Sequence, residues 1–141
     1  MTSRVIYQGQ LRTQAEHVRS GKTIVSDAPT DNHGLGEAFS PTDLVATALA
    51  SCMLTVMGIK AESMDLDLSG MTAEVTKTMQ SGPRRIAKVE VIVDMPERNY
   101  SKLDRALLER TARTCPVARS LADATKQEIT FRWKTDSASE E

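Results

Sequence analysis

The sequence predicts an α+β chain, and three observations carry that prediction. Short alternating segments near the N-terminus read as an antiparallel meander. A charge-free, largely apolar stretch from Leu44 to Ile59 reads as one long buried helix. A second pair of alternating segments, on either side of Ser81-Gly82-Pro83, reads as a hairpin, followed by helical spacing and a last strand. With 141 residues, 40% of them hydrophobic, the chain fits one domain by the usual size of about 100–200 residues. That domain is expected over residues 1–134, with the polar, acidic stretch 135–141 as a disordered tail.

The elements follow in order. Arg4 to Tyr7 and Gln10 to Val18 read as two strands joined around Gly9, and Lys22 to Asp27 as a third after the Ser20-Gly21 turn. Ala28 to Phe39 collects Pro, Asp, Asn and Gly, which is loop chemistry. Ser40-Pro41-Thr42-Asp43 is a helix start: Ser40 can cap, Pro41 suits the first helical position, and Asp43 stands where a capping box places its acid. From Leu44 to Ile59 every face is apolar or small, the mark of a buried helix, and roughly twenty residues at about 1.5 Å each cross a small domain. Asp65 to Gln80 and Arg84 to Met95 form the hairpin. Ser101 caps an amphipathic helix to Arg113, Thr114-Cys115-Pro116-Val117 breaks and restarts the chain into a short helix, and Lys126 to Lys134 is the final strand.

Composition narrows the function. A net charge of -1, from 18 basic and 19 acidic side chains, supplies no field for nucleic acid or an anionic membrane. The N-terminus has no run of signal-peptide length, and no segment approaches the roughly 18–20 uninterrupted apolar residues of a membrane span, so a cytoplasmic protein is expected. In a reducing compartment two cysteines are better read as buried thiols or a redox-active pair than as a structural bridge.

Cys52, in the middle of the long helix, and Cys115, at the opening of a later one, are the candidate reactive groups. A reactive thiol needs a cation, a helix N-terminus or a hydrogen-bond donor to lower its pKa from about 8.5. On that ground Cys115 is the better placed, and Cys52 would need activation from another segment; either can equally be a small buried hydrophobe. His17 and His33 with the cysteines lack metal-ligand spacing, so no metal is expected. The run Asp31-Asn32-His33-Gly34-Leu35-Gly36 lacks the later glutamate of a calcium loop and reads as a turn.

The combination of SPTDLVATALASC on a buried helix, a hairpin, and CPVARSL before a last strand resembles the OsmC/Ohr family, over about residues 4 to 134. SDAP, SPTDL and ALASC are most similar to its OsmC-like redox protein branch. The resemblance implies curved antiparallel sheets wrapped around long central helices in an intertwined homodimer, with active sites at the interface. It further implies reduction of organic hydroperoxides by Cys52, which becomes a sulfenic acid, and resolution by Cys115 to a disulfide that a dithiol or lipoylated protein reopens, with no bound cofactor. The family's activating arginine lies in an R-x-G turn, which Arg19-Ser20-Gly21 matches, so Arg19 is implied as the residue that holds Cys52 as thiolate. Where the peroxidases carry a glutamate beside the helix-opening proline, this chain has Thr42, with Asp43 and Glu37 as nearby carboxylates. That departure keeps two other readings open: a redox-sensing or small-ligand-binding dimer, and a structural dimer with inert thiols.

Overall fold

The computed structural model describes residues 1–134, so the tail expected over 135–141 lies outside the described residues. The chain forms two compact units, Met1–Val45 and Ala46–Glu141.

The first unit is an antiparallel meander of β1 (Ser3–Gly9), β2 (Arg12–His17) and β3 (Thr23–Asp27). Gln10 and Leu11, both at positive φ, make the tight turn between β1 and β2. Alternation puts Val5, Ala15 and Ile24 in one cross-strand row and Tyr7, Thr13 and Ser26 in the next, on the same face. Little covers that face: Val5, Tyr7 and Ile24 are all more than half exposed. The loop after β3 folds back on itself, with Gly34 and Gly36 bonding to Pro29 and Ala28 carbonyls. Gly34 is required there, because a Cβ would sit 1.7 Å from the Ala28 carbonyl oxygen.

Helix α1 (Pro41–Ser63) runs from the first unit into the second. Its start is the expected capping box: Asp43 N–H donates to Ser40 Oγ at 3.0 Å, and Ser40 N–H donates to Asp43 Oδ2 at 2.9 Å. The helix is not buried all round, as its composition suggests. Ala46, Leu49, Ala50, Met53, Met57 and Ala61 form a buried stripe, while Val45, Ser51, Thr55 and Ile59 are exposed. By length and composition α1 is also long and apolar enough to cross a membrane, contrary to the expectation that no segment approaches that size; its buried stripe is core.

In the second unit, β4 (Thr72–Gln80), β5 (Arg85–Asp94) and β6 (Lys126–Arg132) form a sheet in that order, joined by α2 (Lys102–Arg113) and α3 (Pro116–Ser120). The expectation of antiparallel sheets is met by the first sheet and by the β4–β5 pair, and is corrected at β6, which pairs with β5 in parallel. The physical reason is the crossover through α2 and α3, which returns the chain to the end where β5 began; side-chain alternation marks a strand but not its direction. Thr125 Oγ1 fixes the register there, donating to the Ile86 carbonyl and accepting from Arg85. The buried stripe of α1 belongs to one core with Val89, Val91 and Val93 of β5, Leu108 and Ala112 of α2, and Cys115. Ser101 caps α2 with Asp104 in a second capping box. Trp133 closes the far end, edge-on to Tyr100, with its indole N–H donated to Glu109.

Candidate active site

Cys52 sits on α1 one position before the buried stripe residue Met53, and is partly exposed. Cys115 is the N-cap of α3 and only 1% exposed. Both are free thiols, and the crossover brings them together: the Cys52 side chain lies close enough to Cys115 to act on its ionisation, by hydrogen bonding and by charge. The two thiols nominated from sequence are therefore neighbours in one unit.

Their environments are unequal. Ala118 N–H donates to Cys115 Sγ at 3.4 Å, the helix-start donation expected to favour a thiolate. Burial opposes it and is larger, and the Cys52 side chain adds to burial, so the Cys115 pKa is pushed up. The helix-start argument for Cys115 is thus outweighed by burial. A helix of five residues has only a small dipole to offer, and a thiol taken out of water holds its proton. The Cys115 thiol is therefore held towards its protonated form, chiefly by burial.

Arg19 lies in the exposed turn between β2 and β3, in the first unit. His17 and Lys22 close that turn, His17 N–H donating to the Lys22 carbonyl at 2.8 Å, and Ser20 Oγ is 2.7 Å from His17 Nδ1. The cation that the first unit holds firmly is a different one. Arg12 donates from Nε and Nη2 to the two carboxylate oxygens of Asp27 at 2.7 and 2.8 Å, and from Nη2 to Glu37 at 3.2 Å. Asp27 is buried and also accepts the Glu37 backbone N–H at 3.0 Å, so its pKa is lowered, chiefly by Arg12. Glu37, a nearby carboxylate in the sequence, is engaged by Arg12. Asp43 is engaged by its helix cap, and the Thr42 hydroxyl lies 3.3 Å from Ser40 Oγ. Sequence reasoning missed the Arg12–Asp27 pair. The available signal was the acid ending a strand directly before Ala28-Pro29, at a position the alternation faces with Arg12.

Met53 and Met57, which follow Cys52 along α1 on its buried stripe, are fully buried core of this chain. No group of three or more His, Cys, Asp or Glu side chains could hold a metal among the described residues.

Comparison with known proteins places this architecture. A structure from Psychrobacter arcticus 273-4, described as that of a candidate osmotic stress induced and detoxification response protein, is 48% identical, covering 94% of this chain and 96% of its own, with a TM-score of 0.90. An organic hydroperoxide resistance protein OsmC from Legionella pneumophila shares the fold at 15% identity and a TM-score of 0.72, over 93% of this chain and 96% of its own. One from Elizabethkingia anophelis does so at 13% identity and a TM-score of 0.72, over 96% and 97%. No curated protein matches the chain. The family model described as OsmC-like protein matches residues 34–130, a stretch that starts after Arg19 and includes α1 with Cys52, the parallel crossover and Cys115. With more than half of its length matched, and with the two thiols that the crossover brings together inside the match, the chain belongs to the OsmC-like family.

Proposed function

We propose that the protein reduces organic hydroperoxides through a Cys52 sulfenic acid and a Cys52–Cys115 disulfide. The observation that carries this reading is the pairing of a partly exposed thiol with a buried one that keeps its proton. The Cys52 thiolate attacks the peroxide O–O bond, taking one oxygen as sulfenic acid while the other leaves as alkoxide and picks up a proton to become the alcohol. Cys115 then attacks the sulfenic sulfur, forming the disulfide and releasing water. An external dithiol, such as a lipoylated protein, returns both thiols by exchange and is itself oxidised to a disulfide.

Arg19 is proposed as the cation that supports the Cys52 thiolate, and a cytoplasmic homodimer as the working form. Two surfaces with exposed apolar side chains support a second copy as their cover: the Val5–Tyr7–Ile24 face of the meander, and the charge-free stripe of α1 that carries Val45 and Ile59 with Ser51 and Thr55 between them. The names of the hydroperoxide resistance proteins that share the fold point the same way.

The test is mass spectrometry after one equivalent of cumene hydroperoxide. Wild type should give a Cys52–Cys115 disulfide, and Cys115→Ser a sulfenic acid at position 52 that dimedone traps. If neither product forms short of general oxidation, the reading is lost. Thr42 favours a second reading, since its hydroxyl offers no charge to hold an arginine: a dimer that senses oxidation or binds a small ligand. Turnover no faster than that of a free thiol, with a ligand retained in native mass spectrometry, would select it.

A further inference from the structure

The position of Cys115 is not secured by its own helix. A single helix of five residues has no independent stability in water, because nucleation is unfavourable and few bonds follow it. What holds Cys115 must therefore come from neighbouring elements, and two side-chain ties to β6 or its backbone flank it. Before it, the Arg113 guanidinium donates to the Ile129 carbonyl at 3.4 Å and lies 5.4 Å over the Phe131 ring. After it, Gln127 donates from Nε2 to the Ala118 carbonyl at 3.0 Å. Ala118 is also the residue whose N–H reaches Cys115 Sγ.

Gln127 is the unexpected residue in its row. On β6 the residues paired with Val89, Val91 and Val93 are Gln127, Ile129 and Phe131, and all three Val partners are fully buried. Packing alone would place a third apolar side chain in that row. A partly buried amide there is retained at a desolvation cost, which its bond to α3 offsets.

We infer that Gln127 is a positioning residue for the resolving step: by anchoring Ala118 to β6 it keeps α3, and with it the Cys115 thiol, directed at Cys52. This rests on the peroxide-reducing reading only for the identity of the oxidant. In the step it serves, the Cys115 sulfur bonds to the Cys52 sulfur of the sulfenic acid, the S–O bond breaks, and the hydroxyl leaves as water with the Cys115 proton. Gln127 touches neither sulfur and takes no part in peroxide attack.

The test separates the two steps in the full-length protein, using Gln127→Met and Gln127→Glu, which keep the side-chain length while removing the donor at neutral pH. With cumene hydroperoxide, the rate of sulfenic acid formation at Cys52 should match wild type. Closure to the disulfide should slow about fivefold, the factor that follows from one net hydrogen bond, and dimedone should capture more of the intermediate. A second arm needs no peroxide: in glutathione redox buffers the equilibrium constant for the Cys52–Cys115 disulfide should fall about fivefold in both variants. Wild-type closure rates and equilibrium constants in the variants would overturn the inference, as would equal slowing of both chemical steps, which marks a general loss of structure. If wild type forms no sulfenic acid, the peroxide reading fails while the glutathione arm still decides the role of Gln127.

Discussion

The two compact units solve the same problem in opposite ways. In the second, α1, β5 and α2 bury Leu49, Met53, Met57, Val91 and Leu108 completely, and polar groups are pushed outward into pairs such as Lys126 with Glu128. In the first, the apolar side chains of the meander stay open while the most deeply buried group is a carboxylate, Asp27, at 1% exposure and bonded at both oxygens by Arg12. One unit is held mainly by excluded apolar surface, which carries no titrating group of its own. The other relies on a charged clamp and leaves its apolar face for something else to cover.

Substitutions can break or sharpen that contrast. The largest effect is expected at Leu108→Ala, which empties a fully buried position of the second unit: about 2–5 kcal/mol lost by urea unfolding, with the thiol pair disturbed as well. A loss under about 1 kcal/mol would mean that the core closes over the gap, and the contrast would weaken.

Next is Asp27→Asn, read through pH. Because Arg12 holds the Asp27 pKa below its ordinary value, the ionised form is favoured in the folded state. The stability this adds is present above the ordinary carboxylate range and is lost as pH falls through the folded value. Wild type should lose thermal stability below about pH 4, and Asp27→Asn should melt lower at neutral pH with a shallower acid limb. An unchanged acid limb would remove the clamp from the account.

The smallest effect is expected at Val5→Ala. Val5 is 61% exposed, so in the single chain the change should stay within about 0.5 kcal/mol. A cost of about 1.5 kcal/mol or more that grows with protein concentration would mean that a second copy covers the meander, and the contrast between the units would then hold only for one isolated chain.

Local chemistry was readable wherever the chain carries its own signal. Ser40-Pro41-Thr42-Asp43 announced the start of α1 at Pro41, and Ser101 the start of α2, because a cap is made by residues three apart in sequence. Three things were hidden because each is a property of what lies opposite. A helix apolar on every face cannot say which stripe is buried: Met53 and Met57 are core, while Val45 and Ile59 are exposed. An alternating strand cannot say which way its partner runs, so the parallel pairing of β6 was missed. The helix-opening position of Cys115 was visible, but its burial was not, and burial decides its ionisation.

The parallel crossover sets an order of events as well as a geometry. Cys52 is on the chain well before β6, and the contacts that place Cys115 include backbone and side-chain ties to Gln127 and Ile129, close to the last described strand residue. Those ties are short in sequence, but β6 reaches its place by pairing with β5, Val89 opposite Gln127, a separation whose loop-closure cost favours late formation. A chain emerging during synthesis thus carries the first thiol for most of its length without the second in place, and the two become neighbours only when the final strand docks. The proposed Cys52–Cys115 disulfide would in that sense be a chemical timestamp on the completed fold.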